Sequence, residues 1–134
     1  DFHYRKSSFD NGQIIIEARF KIKKCNKSQI KKKISTISDK RKKSQPVSSR
    51  TGGSTFTNPT SYPAWKLIDE IDYRGKQMGG AKVSNLHSNF LINYKNASSL
   101  DLEILGEEIK NKVWEKRRIN LKWELIRIGE FKKV

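Results

Sequence analysis

From Gln13 to Lys23 the apolar residues Ile14, Ile16, Ala18, Phe20 and Ile22 alternate with Glu17, Arg19, Lys21 and Lys23. A period of two predicts a half-buried β-strand, broken only by Ile15. The residues before it, across a turn at Asn11-Gly12, are its expected pairing partner. Over residues 27–45 the period changes: Ile30, Ile34 and Ile37 fall four and three apart, on one face of a helix, with lysines over the rest. Gln45-Pro46 ends that helix, because proline cannot continue it. Pro63 suits a first helical turn, and Trp65, Ile68 and Ile71 predict a short helix ending near Asp72. Extended segments are expected at Lys76–Met78, Ala81–Ser84 and Asn89–Tyr94, with a loop at residues 85–88. Ser98 and Asp101 have the spacing of a capping box, and Leu102, Leu105, Ile109 and Val113 continue as a helical stripe to about Arg117. Leu121, Trp123 and Leu125 then alternate with Lys122 and Glu124, predicting a last strand over residues 119–128. Strands interleaved with helices, some pairing antiparallel, indicate the α+β class.

Composition bounds what such a chain can do. Its 134 residues suffice for one domain with a modest core, since 34% are apolar and 32% charged. The net charge of +15 attracts anions: nucleic acid, acidic membranes or the phosphates of a small substrate. Lysine outnumbers arginine, which favours diffuse solvation over bidentate phosphate recognition. Cys25 is the single cysteine, so no intrachain disulfide is possible and a reducing, cytoplasmic setting is expected. Nothing resembles a signal peptide, and no run approaches the ~20 apolar residues of a membrane span. The first residue is Asp1 and the one methionine is Met78, which predicts a piece of something longer.

The chemistry concentrates in Arg50-Thr51-Gly52-Gly53-Ser54-Thr55-Phe56-Thr57-Asn58-Pro59. Two glycines allow the backbone to approach a ligand closely, and a hydroxyl follows at Ser54 before a short β-prone piece. Read alone, such a motif is more often a surface turn with an ordinary serine. His3 and His87 are too far apart in sequence, with no cysteine pair, to form a metal-binding cluster. No GxxxxGK[ST] or GxGxxG motif is present. Ser54, His87 and Asp69 could be drawn as an acyl-transfer triad, but the GxSxG elbow that would support it is missing.

Taken together, several ordered motifs are similar to one family. They are Tyr4-Arg5-Lys6-Ser7-Ser8-Phe9, Gly53 to Pro59, Ala64 to Asp69, Gly75 to Ser84, His87-Ser88-Asn89-Phe90, and Leu121 to Gly129 with Glu124. The chain resembles the C-terminal part of the UDP-N-acetylenolpyruvoylglucosamine reductase (MurB) family of peptidoglycan synthesis. The resemblance implies an FAD-dependent reduction of an enolpyruvyl UDP-sugar, with NADPH as reductant. It implies Ser54 as proton donor, with Arg5 and Glu124 stabilising charge at the substrate carboxylate. Tyr4, Asn58 and His87 match positions along the substrate pocket, and Lys43 aligns with a lysine near the substrate diphosphate. Lys6 departs from the family, standing where an acid is common.

The resemblance further implies three parts: residues 1–43 as the tail end of the FAD-binding domain, 44–129 as the substrate-binding domain, and 130–134 as a tail. The glycine-rich segments that hold the FAD diphosphate in the family are not among these residues. A separate flavin-binding half is therefore an expected partner, beside the UDP-sugar. Two other readings stay open: a non-enzymatic basic module binding nucleic acid or another polyanion, and an inactive remnant of the reductase.

Overall fold

A computed structural model describes residues 2–9 and 12–129. In chain order the elements are β1 (Phe2–His3), β2 (Lys6–Ser7), α1 (Lys27–Ser44), α2 (Ala64–Glu70), β3 (Gln77–Met78), β4 (Ala81–Val83), β5 (Leu91–Asn93) and α3 (Ser99–Arg117). Strands β3, β4 and β5 form an antiparallel sheet in that order, with Val83 opposite Leu91 and Lys82 opposite Gln77 and Ile92. Helix α3 packs on this sheet and α2 packs on α3, which gives the α+β class expected. The core comes from one side of each element: Leu67 and Ile68 of α2, Ala81 and Val83 of β4, Leu91 of β5, and Leu105, Ile109 and Val113 of α3. Phe56 and Leu121 close it from the connecting segments.

Local chemistry accounts for the element ends. Ser98 accepts from the Asp101 backbone N–H at 3.0 Å, and Asp101 accepts in return from the Ser98 N–H at 3.0 Å, completing the capping box. The Asp101 carboxylate also accepts from the Gly80 N–H, which joins the β3–β4 turn to the start of α3. These bonds hold its pKa below the ordinary carboxylate value. The C-terminal end of α3 is closed by Arg118 in the left-handed region, φ 55°. Gly106 is buried in α3 because the Trp123 indole lies where any Cβ would go.

Two expected strands differ from the structure. Residues 13–26 are exposed and join no ladder, and Phe2–His3 pairs instead with Lys6–Ser7 in a tight hairpin. Alternation correctly marks a two-faced segment, but a ladder also needs a neighbouring edge, and the described residues provide none. The segment over 119–128 is pinned by a single bridge, Phe56 to Trp123, rather than a ladder. Its first apolar side chains are used, with Leu121 buried and Trp123 half-buried, while Ile126 and Ile128 remain exposed. The Asn11-Gly12 turn falls partly, and the 130–134 tail wholly, outside the described residues. Helix α1 buries no residue.

Gly106→Val should lower stability by roughly 1–3 kcal/mol, the usual cost of forcing carbon into a filled space. Urea denaturation checks it: the midpoint should fall without a change in slope. An unchanged midpoint would mean that Trp123 does not depend on the space Gly106 leaves.

Candidate active site

Ser54 opens a three-residue run that is wedged between two others. Thr55 donates its N–H to the Asn89 carbonyl at 2.8 Å and accepts from the Glu124 N–H at 2.8 Å. Its hydroxyl oxygen accepts from the Leu91 N–H at 3.2 Å. Thr57 donates its N–H to the Lys122 carbonyl at 2.9 Å. Phe56 has no backbone neighbour on its other side, and the Asn89 side chain fills that role. Its Oδ1 accepts from the Phe56 N–H at 3.0 Å, while its Nδ2 donates to the Phe56 carbonyl at 2.8 Å. Thr55, Phe56 and Asn89 are buried, so leaving any of these groups unpaired would be costly. The run therefore holds Ser54 beside Phe90 and fixes Glu124 at the same level.

The β1–β2 hairpin completes the site from the other end of the chain. Arg5 sits in the left-handed region at φ 58°, a conformation that costs a non-glycine residue about 1–3 kcal/mol. Its guanidinium contacts the Glu124 carboxylate at 2.7 Å and lies 5.1 Å from the Tyr4 ring centroid. The other Glu124 oxygen is buried without a hydrogen-bond partner among the described residues. Arg5, Ser54 and Glu124 line one cleft of about 420 Å³. Arg5 also borders a second, open cleft of about 600 Å³ lined by Tyr4, Asn58 and Lys122. Gly53, at φ 97°, has open space where a side chain would stand, which keeps the approach to Ser54 clear.

The structure sorts the expected residues. Arg5, Ser54 and Glu124 come together, and Tyr4 and Asn58 share the adjoining cleft. The Asn58 N–H donates to the Tyr4 hydroxyl at 3.5 Å, while its Oδ1 accepts from the Ala64 N–H at 2.9 Å and so caps α2. Lys43 is not brought in: on α1 it points away from the stripe of Ile30, Ile34 and Ile37. The residue that reaches the cleft is Arg41, four after Ile37 on that stripe, with its Nη2 donating to Gln45 at 3.3 Å. A cation continuing an apolar stripe was the available signal, and the density of lysines concealed it.

His87 stands one ring back from Ser54. It meets the Phe90 ring at 4.8 Å and the Trp65 ring at 6.4 Å, and its Nδ1 accepts from the Asn89 N–H at 3.3 Å. Asp69 pairs with Arg74 at 2.5 Å, so the triad that could be drawn from the sequence is not assembled. Cys25 is exposed and donates to the Gln29 side chain. Among the described residues no cluster of His, Cys, Asp or Glu could hold a metal ion, and no helix is long and apolar enough to cross a membrane.

A flavin dinucleotide needs backbone N–H groups free for its diphosphate, typically at a glycine-rich helix N-terminus. The described residues do not fit it. A Cβ on Gly52 would meet Leu125 at 3.0 Å, and one on Gly80 would meet the Lys95 carbonyl at 2.5 Å. The Asp101 carboxylate already fills the N-terminus of α3. What remains is anion recognition by Arg5 and Arg41, next to a hydroxyl that can give up a proton.

Burial and then the charge of Arg74 push the His87 imidazole below its ordinary 6.5, against a smaller upward pull from Asp69. The unfolded chain thus binds the proton more readily. The stability His87 contributes is complete above pH 6.5 and is lost as pH falls through the folded value. Comparing urea midpoints at about pH 7.5 and about pH 5 should show a drop in the parent that shrinks in His87→Gln. An equal drop in both would assign the acid sensitivity to other groups.

Known proteins share much of this chain's sequence and fold. Residues 45–128 match the family model for UDP-N-acetylenolpyruvoylglucosamine reductase, C-terminal domain. The chain is 43% identical over 129 residues to the UDP-N-acetylenolpyruvoylglucosamine reductase of Sphingopyxis alaskensis, covering 96% of this chain and 43% of that one. Against the Gluconobacter oxydans reductase it is 47% identical over 128 residues, covering 96% and 42%. The crystal structure of the reductase (MurB) from Thermus caldophilus superposes with a TM-score of 0.73 at 34% identity, over 92% of this chain and 44% of that one. The chain thus spans less than half the length of these relatives. By the length of the match and the fold it shares with them, it belongs to the UDP-N-acetylenolpyruvoylglucosamine reductase C-terminal domain family.

Proposed function

We propose that this chain is the substrate-binding part of an FAD-dependent, NADPH-using UDP-N-acetylenolpyruvoylglucosamine reductase of cytoplasmic peptidoglycan synthesis. Residues 44–129 form the substrate-binding domain, and residues 1–43 belong to the end of the flavin-binding one. The observation that carries the reading is the convergence of Arg5, Ser54 and Glu124 from three distant stretches on one cleft.

The residue types suit the chemistry. Reducing a double bond beside a carboxylate builds negative charge onto that carboxylate, and fixed guanidinium groups offset it where water is excluded. Arg5 and Arg41 are the cations at the cleft. Glu124 orients Arg5 through their 2.7 Å contact. Ser54, held by the run that follows it, is placed to hand its hydroxyl proton to the carbon next to the carboxylate. Tyr4, Asn58 and Lys122 line the wider cleft, where the UDP-sugar would extend. The dinucleotide itself is assigned to the length of the relatives that this chain does not span.

One observation favours a polyanion-binding module instead: α1 carries seven lysines and Arg41 against a single acid, Asp39. It has no aromatic residue on which a base could stack, so such binding would be non-specific and salt-sensitive.

The test restores the missing length by joining this chain to the N-terminal portion of the Gluconobacter oxydans relative. Turnover of UDP-N-acetylglucosamine enolpyruvate should then fall by ~10²-fold or more in Ser54→Ala, and Ser54→Cys should recover part of it. Full turnover in the alanine variant would remove Ser54 from proton delivery.

A further inference from the structure

Asn89 lines neither of the two clefts, yet every polar group it carries is engaged with the segments that build them. Its N–H donates to His87 Nδ1 at 3.3 Å, and its carbonyl accepts from the Thr55 N–H at 2.8 Å. Its side chain makes the pair of bonds with Phe56, accepting at 3.0 Å and donating at 2.8 Å. The residue is only 4% exposed, so water cannot stand in for either bond. A primary amide sets a donor and an acceptor side by side in one plane, which suits a backbone N–H and C=O of the same residue. An ionised carboxylate of the same shape could only accept. Glutamine would carry the same head one methylene further out, past the Phe56 backbone.

Phe56 lies between two residues of the site. Ser54, two positions before it, bridges to Phe90, and Phe56 itself bridges to Trp123, the neighbour of Glu124. The Glu124 N–H donates to the Thr55 carbonyl at 2.8 Å, and the Glu124 carboxylate holds Arg5 at 2.7 Å. A shift of the Phe56 backbone would therefore move the hydroxyl and the carboxylate while leaving every group in the cleft chemically unchanged. His87 steadies Asn89 from behind. Burial and the charge of Arg74, against the smaller pull of Asp69, keep the imidazole neutral at neutral pH, so its Nδ1 can accept.

We propose that Asn89 is a positioning residue for the proton transfer: its amide sets the Phe56 backbone and, through it, the separation of the Ser54 hydroxyl from the Glu124–Arg5 pair. For the reaction this rests on the functional reading above, and for the positioning it rests on the hydrogen bonds alone. Small displacements of reacting groups cost rate steeply, so the effect belongs to kcat more than to substrate binding. Asn89→Asp isolates it, because the substitution keeps the shape. Protonated, the introduced carboxyl accepts from the Phe56 N–H and donates to the Phe56 carbonyl, as the amide does. Ionised, it turns a second acceptor toward that carbonyl. Burial and the facing carbonyl raise its pKa above the ordinary carboxylate value of about 3.9. The variant is then most stable at low pH and loses stability as pH rises through the folded value. His87, Glu124, Arg5, Asp69 and Arg74 stay as they are, so the parent's own pH profile is the control.

The experiment reads Asn89→Asp both in the chimera with the N-terminal portion of the Gluconobacter oxydans relative and in this chain alone. In the chimera, kcat for UDP-N-acetylglucosamine enolpyruvate should approach the parent's at the acid end. It should fall ~10- to 10²-fold relative to the parent as the carboxyl ionises, with KM within about threefold. Circular dichroism at each pH confines the comparison to folded protein. Where the ionised form unfolds, Asn89→Ser is read in its place, since its one hydroxyl cannot replace the paired bonds, and its kcat should be lower at every pH. A kcat profile parallel to the parent's in folded Asn89→Asp would overturn the proposal, and so would a loss confined to KM or a parental kcat in Asn89→Ser. The chain alone needs no turnover. There the Ser54 and Glu124 amide resonances of Asn89→Asp should titrate with the introduced carboxyl, while those of Ile109 and Val113 stay still. Silence at Ser54 and Glu124 would overturn the positioning. Titration there, beside a parent chimera that turns over no substrate, upholds the positioning and removes the reductase reading.

Discussion

The backbone of residues 55–57 must be paired on both sides in a place where no regular sheet surrounds it. The 89–91 segment serves one edge and the 122–124 segment the other, and the Asn89 amide supplies the pair of bonds that a missing strand residue would have made. Much of the site follows from that constraint. Ser54 is held because Thr55 cannot move, and Glu124 is held because its N–H donates to Thr55. Phe56 stacks on Trp123 with ring centroids 5.0 Å apart, and Trp123 lies in the space left by Gly106. The candidate cleft is thus tied to the middle of α3 through two aromatic rings and a glycine.

The same construction separates two kinds of structure in one chain. From residue 45 onward the chain builds the core, although Ile126 and Ile128 stay exposed, and the buried polar side chains mostly find hydrogen bonds. Before residue 45 the hairpin reaches the site through Arg5 and Tyr4, while residues 13–44 keep their apolar faces in water. Electrostatics follows the division: acids are concentrated on α3, where Glu107 accepts from Trp123 and pairs with Lys110, and lysines crowd α1. Cofactor chemistry divides likewise. Gly52, Gly80 and Gly106 are closed in by neighbouring atoms, and Gly53 leaves the approach to Ser54 open, so none of these four cradles a flavin diphosphate.

Much of this was legible in the sequence, for reasons that can be named. Helices α1 and α3 declared themselves because three or four apolar residues recur at helical spacing, and Ser98 with Asp101 marked where α3 starts. The meeting of Arg5, Ser54 and Glu124 was legible only through the resemblance, since no local pattern connects residues so far apart. The strand at 13–23 was overread because alternation reports a face and not what covers it. Residues 119–128 were overread for a related reason: one bridge suffices once Leu121 and Trp123 are anchored by packing. Arg41 was passed over for Lys43 because both sit in a basic run, and only the helix phase distinguishes them. Asn89 stood in the His87-Ser88-Asn89-Phe90 motif, but its pairing with Phe56 was not legible, because a buried amide standing in for a strand has no periodicity.

The central claim is that the substrate site is already built within this chain, before any flavin-bearing partner is added. The direct measurement is an NMR titration of the isolated chain with UDP-N-acetylglucosamine enolpyruvate, following backbone amide shifts residue by residue. The account predicts saturable changes concentrated at Arg5, Ser54, Asn58 and Glu124, with α1 beyond Arg41 little affected. Changes spread along the lysines of α1, with Ser54 and Glu124 silent, would contradict it and leave a basic surface in place of an active site.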